Sequence, residues 1–140
     1  METPEVIVYD SFNIDDLRET PYLIGTLTNE IITLLNLSLS ERHILIWKDR
    51  IKYIEKHKED FSSDLEFKKH IEAIPSIVQN PDYVGLHPKG DSLQFIKKID
   101  KTILVAVRVK NKGKLAVRSA YPIDELKLES YLKSGTVKKF

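Results

Sequence analysis

The chain has 140 residues, a length that suits one domain with a single sizeable core. Hydrophobic residues make up 41% and charged residues 31%, which excludes a disordered chain, and the absence of cysteine excludes disulfides, thiol catalysis and cysteine-based zinc sites. The formal net charge of +1 hides an asymmetry, because residues 1–70 hold 9 basic and 14 acidic side chains whereas residues 71–140 hold 13 and 7. The basic excess is strongest between Lys89 and Arg118. Such an excess indicates either a surface that binds a polyanion or a lysine-rich, solvated sheet edge.

The first part of the chain predicts mixed elements. Glu5 to Tyr9 (EVIVY) is short, apolar and β-branched, as in a strand, and residues 10–22 are polar and predict an irregular segment. Thr28 is a plausible N-cap for a helix that ends near Asn36. His43 to Trp47 (HILIW) is compatible with a short strand or with the start of a buried helix.

The middle of the chain predicts helices. From Asp49 to Phe61 the apolar residues follow three- and four-residue steps, and Tyr53 and His57 stand four residues apart at the border of the apolar stripe. The sequence Ser63 to Glu66 has the form of a capping box. We expect Pro75 to interrupt the helix that follows. The residues expected to face the core are Leu65, Ile71 and Ile74.

The last part predicts an antiparallel meander. Leu93 to Ile99, Thr102 to Lys110 and Lys114 to Tyr121 read as strands joined by hairpin-sized gaps, the second of which contains Gly113. Asp124 to Ser134 predicts a closing helix before a basic tail. We therefore expect one α+β domain, with an extension over 1–24, a core over 25–121 and a C-terminal helix and tail over 122–140. Since no segment resembles a signal peptide or a membrane span, we expect a cytoplasmic protein without a membrane partner.

The motifs of several catalytic classes are missing. The sequence contains no HExxH, GxGxxG, GxxxxGK[ST] or GxSxG pattern, so we expect no metal and no nucleotide cofactor. What remains is a set of His, Lys, Arg, Ser and Tyr, which suits metal-independent cleavage of RNA. The substrate supplies the 2′-hydroxyl nucleophile, histidine moves protons near neutral pH, and cations with hydroxyls stabilise the phosphate.

Two groups of residues are candidates for this chemistry. The catalytic candidates are His57, Lys97, Arg118, Ser119 and Tyr121. The substrate-binding candidates are Tyr53, His87, Lys98 and Lys112. Strand alternation predicts that Ser119 and Tyr121 share one face of the sheet and that Arg118 takes the other. Each candidate also has an ordinary structural explanation: a surface helix histidine, a strand end that emerges into solvent, or a turn residue.

The order of short motifs resembles one nuclease group. The motifs are Tyr53-Ile54-Glu55-Lys56-His57, Pro81-Asp82-Tyr83-Val84, Phe95-Ile96-Lys97, the apolar strand Ile103 to Val107, and Ser119-Ala120-Tyr121. From Gly25 to Tyr121 the chain resembles the phage and mobile-element branch of the barnase–EndoU–colicin–RelE nuclease superfamily. The resemblance implies N-terminal helices packed on a curved antiparallel sheet of four or five strands. It also implies a metal-independent endoribonuclease, often a toxin or phage-conflict effector.

The resemblance assigns roles by position. His57 matches the helix histidine of that group, Lys97 its strand lysine, and Ser119 and Tyr121 its final-strand hydroxyls. Tyr53 stands where many relatives have a first histidine, and Ser119 where threonine is common. This leaves a single-histidine mechanism or a binding protein without catalysis. The expected partners are RNA and a cognate antitoxin or immunity protein; the alternative is a non-catalytic nucleic-acid- or protein-binding module on the same scaffold.

Overall fold

The computed structural model describes residues 7–140. Within them it contains seven strands, β1 to β7, at Tyr22–Leu27, Arg42–Ile46, Tyr83–Leu86, Ser92–Lys98, Thr102–Arg108, Leu115–Pro122 and Val137–Lys139. The α-helices α1 to α5 span Asn29–Leu34, Lys48–Ile54, Asp64–Glu72, Ile74–Gln79 and Glu125–Ser134, and a 3-10 helix covers Glu55–Asp60. None of these helices is both long and apolar enough to cross a bilayer.

The strands form one mixed sheet in the order β1-β2-β6-β5-β4-β3-β7. All neighbours pair antiparallel except β2 and β6, which run parallel over Ile44 and Leu45 of β2. The α+β class is therefore confirmed, but the expectation of four or five antiparallel strands behind N-terminal helices is wrong. Two strands, β1 and β2, lie among the first helices and extend the meander on one side, while β3 and β7 extend it on the other.

The end of the sheet depends on Gly85. A Cβ atom there would lie 2.4 Å from the carbonyl oxygen of Thr136 and 2.7 Å from the Val137 side chain. The absence of a side chain lets the C-terminal segment approach β3 closely enough to pair with it. The segment expected to be only a basic tail therefore ends in a strand.

Several local predictions are confirmed. The Thr28 side chain accepts a hydrogen bond from the Ile31 N–H, and Ser63 accepts one from the Glu66 N–H, as N-caps do. The three meander strands and the closing helix lie where expected. Of His43 to Trp47, the first four residues belong to strand β2 and Trp47 is the N-cap residue of α2. The helix predicted from Asp49 instead changes to a 3-10 helix after Ile54.

One prediction about orientation and one about the first residues differ from the structure. Leu65 was expected in the core but is 77% exposed, because α3 turns Phe67 and Ile71 inward instead. The strand predicted at Glu5 to Tyr9 lies partly outside the described residues. Ile7 to Tyr9 form no strand, although the Tyr9 N–H donates to the Leu23 carbonyl at 2.8 Å.

The two faces of the sheet are covered unequally. The inner face carries the main core, in which the strands contribute Ile24, Ile44, Phe95, Val105, Val107 and Ala120 and the helices contribute Ile51, Ile54, Phe67, Ile71, Ile74 and Ile77. The outer face carries a smaller cluster, where Ile96, Leu104 and Tyr121 pack with Leu128 and Tyr131 of α5. Because α5 covers only this cluster, the rest of the outer face remains available for a site.

Candidate active site

The first half of α2 and the last strand of the meander lie side by side. Strand β2 pairs with β6 only through two residues, and α2 packs beside the remainder of β6. One Nη of Arg50 donates to the carbonyl of Arg118 at 3.5 Å. Further along, the ring centroids of His57 and Tyr121 lie 5.5 Å apart. The helix therefore brings the His57 imidazole to the strand that carries three of the catalytic candidates.

A carboxylate holds the His57 ring. Nδ1 of His57 lies 3.3 Å from a carboxylate oxygen of Asp60, one turn further along the 3-10 helix. Nε2 has no hydrogen-bond partner among residues 7–140. When Nδ1 carries the proton that Asp60 accepts, Nε2 of the neutral ring bears the free lone pair. This tautomer can accept a proton from a ligand.

A β-bulge re-orients Arg118. Ser119 pairs with Ala106 and Val117 pairs with Val107, so Arg118 has no partner on β5. Its guanidinium lies 3.2 Å from the Ser92 hydroxyl, on the outer face that Ser119 and Tyr121 also occupy. The prediction that Arg118 takes the opposite face is wrong, because one inserted residue breaks the alternation.

Two polar side chains on this face have a buried atom without a partner in the described part of the chain. Gln94 and Ser119 flank Ala106 in one row across β4, β5 and β6. The Oε1 atom of Gln94 and the Oγ atom of Ser119 are buried and have no hydrogen-bond partner among residues 7–140. Sequence reasoning missed Gln94, although a lone amide within the apolar strand LQFI was a usable signal.

The pKa values of the two site tyrosines are shifted in opposite directions. The Lys56 ammonium donates to the Tyr53 hydroxyl and lowers its pKa, with smaller contributions from the charges of Arg50 and Arg118. Burial raises the pKa of Tyr121, the neighbouring Tyr131 adds to the rise, and Arg118 opposes it. Tyr53 is therefore the more acidic hydroxyl and Tyr121 a persistent hydrogen-bond donor.

The two strand lysines lie away from this group. Lys97 pairs with Ile103 in the register and shares the inner face with it, and its Nζ lies 3.4 Å from Asp82. The structure therefore does not bring Lys97 together with Ser119 and Tyr121. Lys98 lies on the outer face, where it lines a hollow whose rim includes Asp60.

Of the two remaining binding candidates, His87 is linked to the site and Lys112 is not. The Nδ1 atom of His87 lies 3.8 Å from Asp91, and the other oxygen of Asp91 lies 3.4 Å from Arg118. One carboxylate thus connects His87 to the site. Lys112 is exposed in the turn between β5 and β6 and does not line the cleft described next.

An open cleft of about 1110 Å³ adjoins the site between α2 and the outer face. Its lining contains the basic residues Lys48, Arg50, Lys52, Arg108, Lys110 and Arg118 and the acidic residues Glu19, Asp49 and Asp91. Trp47 and Tyr53 add two aromatic rings that are 43% and 46% exposed. Cations interleaved with exposed rings are typical of nucleic-acid-binding surfaces. Of this set, the sequence named Arg118 and Tyr53 as individual candidates, and its basic segment from Lys89 to Arg118 includes Arg108 and Lys110. The exposed Trp47 was missed because HILIW reads as core.

Among residues 7–140, no group of three or more His, Asp or Glu side chains is placed to hold a metal ion. The donor groups at the site are instead an imidazole, tyrosine hydroxyls and guanidinium groups.

The chain also matches a known protein family. Residues 22–130 match the family described as phage-Barnase-EndoU-ColicinE5/D-RelE like nuclease3. The chain belongs to this nuclease family. The match confirms the resemblance drawn from the motifs and covers every candidate residue of the site. No curated protein and no solved structure matches the chain significantly.

Proposed function

We propose that the protein is a metal-independent endoribonuclease that cleaves RNA by attack of the 2′-hydroxyl. The observation that carries the proposal is the contact between His57 and Tyr121, 5.5 Å between ring centroids, beside the cationic cleft. A proton acceptor, a hydroxyl donor and a guanidinium thereby converge on β6. Membership in a nuclease family supports cleavage of a phosphodiester, and this set of groups supports RNA as the substrate.

In the proposed reaction, His57 accepts the proton of the 2′-hydroxyl through Nε2, while Asp60 stabilises the imidazolium that forms. The 2′-oxygen bonds to phosphorus and the bond from phosphorus to the 5′-oxygen breaks. Tyr53, whose pKa the Lys56 ammonium lowers, protonates the leaving 5′-oxygen. The products are a 2′,3′-cyclic phosphate and a free 5′-hydroxyl, so atoms and charge balance.

The phosphate oxygens gain negative charge during this step. Arg118 supplies a guanidinium, and the Tyr121 hydroxyl, kept protonated by its raised pKa, supplies a hydrogen bond. Ser119 shares the face of Tyr121, and its hydroxyl has no hydrogen-bond partner among residues 7–140 that competes for its proton. Lys97 lies on the inner face and has no part in this arrangement.

The test is cleavage of a single-stranded RNA in EDTA. The wild-type protein should cut, and His57→Ala should lose about 10²–10⁴-fold in rate, as expected for one well-placed proton-transfer group. His43→Ala, on β2 and outside the site, is the matched control and should retain the rate. Absence of cleavage in EDTA, or equal rates for His57→Ala and His43→Ala, would reject the proposed mechanism.

A toxin role follows from the same chemistry. Expression of the wild-type chain in a bacterial cytoplasm should arrest growth, and the His57→Ala variant should not. An inhibitor suited to this cleft would present acidic side chains to its basic lining. Normal growth of cells that contain the folded, active enzyme would contradict the toxin role but not the proposed cleavage of RNA.

A further inference from the structure

We propose that the cleft binds single-stranded RNA and that Trp47 forms the platform on which one unpaired base stacks. The proposal deepens the proposed function and rests on it for the identity of the strand. It assigns a specificity role to Trp47, whose ring begins a stripe that leads along α2 toward His57.

The stripe follows from helical spacing. Trp47, Arg50, Tyr53 and Lys56 stand three residues apart and therefore form one continuous ridge. Along this ridge the Tyr53 ring is already occupied, because the guanidinium carbon of Arg50 lies 5.0 Å and the Lys56 Nζ 3.9 Å from its centroid. Tyr53 thus offers its hydroxyl rather than a free ring face.

Trp47 differs from Tyr53 in this respect. In the described part of the chain, no other aromatic ring or cation stacks on the indole, and Trp47 is 43% exposed. The face of the indole is therefore free to stack against a ligand, and burying a large aromatic ring contributes strongly to binding. Every base has a π-face, so an indole in a cationic groove accepts any unpaired base.

The charges of the cleft match a phosphate backbone. Three of the six cations pair with carboxylates: Lys48 with Glu19 at 2.6 Å, Lys52 with Glu55 at 3.8 Å and Arg118 with Asp91 at 3.4 Å. The remaining three, Arg50, Arg108 and Lys110, pair with no carboxylate of residues 7–140. These three border the cleft from α2 and from β5 with its following residues, so a strand lying between them meets positive charge on both sides.

Single-stranded RNA is the ligand that uses both features. A duplex keeps its bases stacked on each other and cannot lay one on Trp47, and an inorganic polyphosphate has no ring to stack. The stacked base would belong to a nucleotide that flanks the scissile linkage, because the ridge runs from Trp47 to the His57 end of β6.

The only tryptophan of the chain provides a direct signal. An eight-nucleotide 2′-O-methyl oligoribonucleotide, which cannot be cleaved by 2′-hydroxyl attack, should quench the Trp47 fluorescence on binding. Inorganic polyphosphate of equal charge and a duplex of the same sequence should produce little quenching. Absence of quenching by the bound single strand, or equal quenching by the duplex, would overturn the proposal.

Variants test the same site by fluorescence anisotropy of a labelled oligonucleotide. Trp47→Ala should weaken binding of the single strand roughly 5- to 100-fold, the range for loss of one base–aromatic stack, and Trp47→Phe should restore most of it. Leu126→Ala, which removes a large exposed apolar side chain on α5, is the matched control and should bind as the wild type does. Equal affinity of Trp47→Ala and Leu126→Ala would overturn the proposal.

Binding in the cleft and cleavage of RNA can be measured separately. The oligonucleotide is uncleavable, so its binding is measured without turnover. If the protein does not cleave RNA in EDTA but the oligonucleotide still quenches Trp47, the enzymatic mechanism is contradicted and the binding groove is supported. If cleavage is intact but Trp47→Ala does not change binding, the binding groove is contradicted and the enzymatic mechanism is supported.

Discussion

Single residues of the site differ in the charge that surrounds them, and the tyrosines show it most clearly. The pKa of Tyr53 is lowered chiefly by the hydrogen bond from Lys56, whereas the pKa of Tyr121 is raised by burial. On raising the pH, Tyr53 should therefore lose its proton below the ordinary tyrosine range and Tyr121 above it. A proton donor and a persistent hydrogen-bond donor can thus be built from the same residue type.

An alkaline absorbance titration tests this difference. The earliest tyrosinate step should disappear in Tyr53→Phe and move to higher pH in Lys56→Met, because the donated hydrogen bond and the positive charge stabilise the tyrosinate. Lys52→Met removes a lysine of the same helix that pairs with Glu55 rather than with Tyr53, and should leave the step in place. A first step unmoved by Lys56→Met would contradict the assignment.

His70 illustrates a buried histidine with a structural role. It is fully buried, its Nδ1 lies 2.7 Å from the Glu66 carbonyl, and its Nε2 accepts from the N–H groups of Asp100 and Lys101 at 3.3 and 2.9 Å. The ring therefore ties α3 to the turn between β4 and β5. The sequence does not show that His70 is buried and His57 is not, because the spacing of neighbouring residues does not distinguish the two environments.

His70→Phe should lower the free energy of unfolding by about 1–3 kcal/mol in total, because it removes the acceptor of two backbone hydrogen bonds in the turn. Urea denaturation measures the loss. His43→Phe is the control, since His43 is half-buried and its Nδ1 lies at the longer distance of 3.4 Å from the Thr26 hydroxyl. If both variants unfold at the same urea concentration, the turn does not depend on His70.

At the scale of elements, the sequence was informative where a pattern is local. The meander was predictable because β-branched runs alternate with hairpin-sized gaps, and the N-caps Thr28 and Ser63 were predictable because they act within one turn. The bulge at Arg118 was not, because alternation carries no sign of an inserted residue. Strand β7 was not predictable either, because its three residues pair only through a partner about 50 positions earlier.

Gly85 provides the test of that distant pairing. Gly85→Ala should destabilise the protein by about 1–3 kcal/mol, because the new Cβ would overlap the Thr136 carbonyl and push β7 from β3. Amide hydrogen exchange in β7 should become faster. Gly90→Asn, at a φ of +75° with open space around it, should change stability by no more than about 0.5 kcal/mol. Unchanged exchange in β7 of Gly85→Ala would show that the sheet tolerates the side chain.

At the scale of the whole molecule, the cleft joins parts of the chain with opposite average charge. The first half is acidic, yet α2 contributes Lys48, Arg50 and Lys52 to the cleft. The basic second half contributes Arg108, Lys110 and Arg118 from the two facing strands and the turn between them. A count of charges along the sequence located the second contribution but not the first, because three basic residues within five positions of α2 are hidden in the average of an acidic half.

A salt titration tests whether these cations act together on a phosphate backbone. The logarithm of the affinity for the uncleavable oligonucleotide should fall linearly with the logarithm of the salt concentration, with a slope of about −0.7 for each phosphate neutralised. Arg108→Ala and Lys110→Ala should each make the slope shallower by about 0.7, because each removes a cation that pairs with no carboxylate of residues 7–140. Lys133→Ala, on α5 and outside the cleft lining, should leave both the slope and the affinity unchanged. An equal change for Lys133→Ala would mean that RNA is attracted by the overall charge of the protein and not by the cleft, whereas a change confined to Arg108 and Lys110 places the strand beside Trp47.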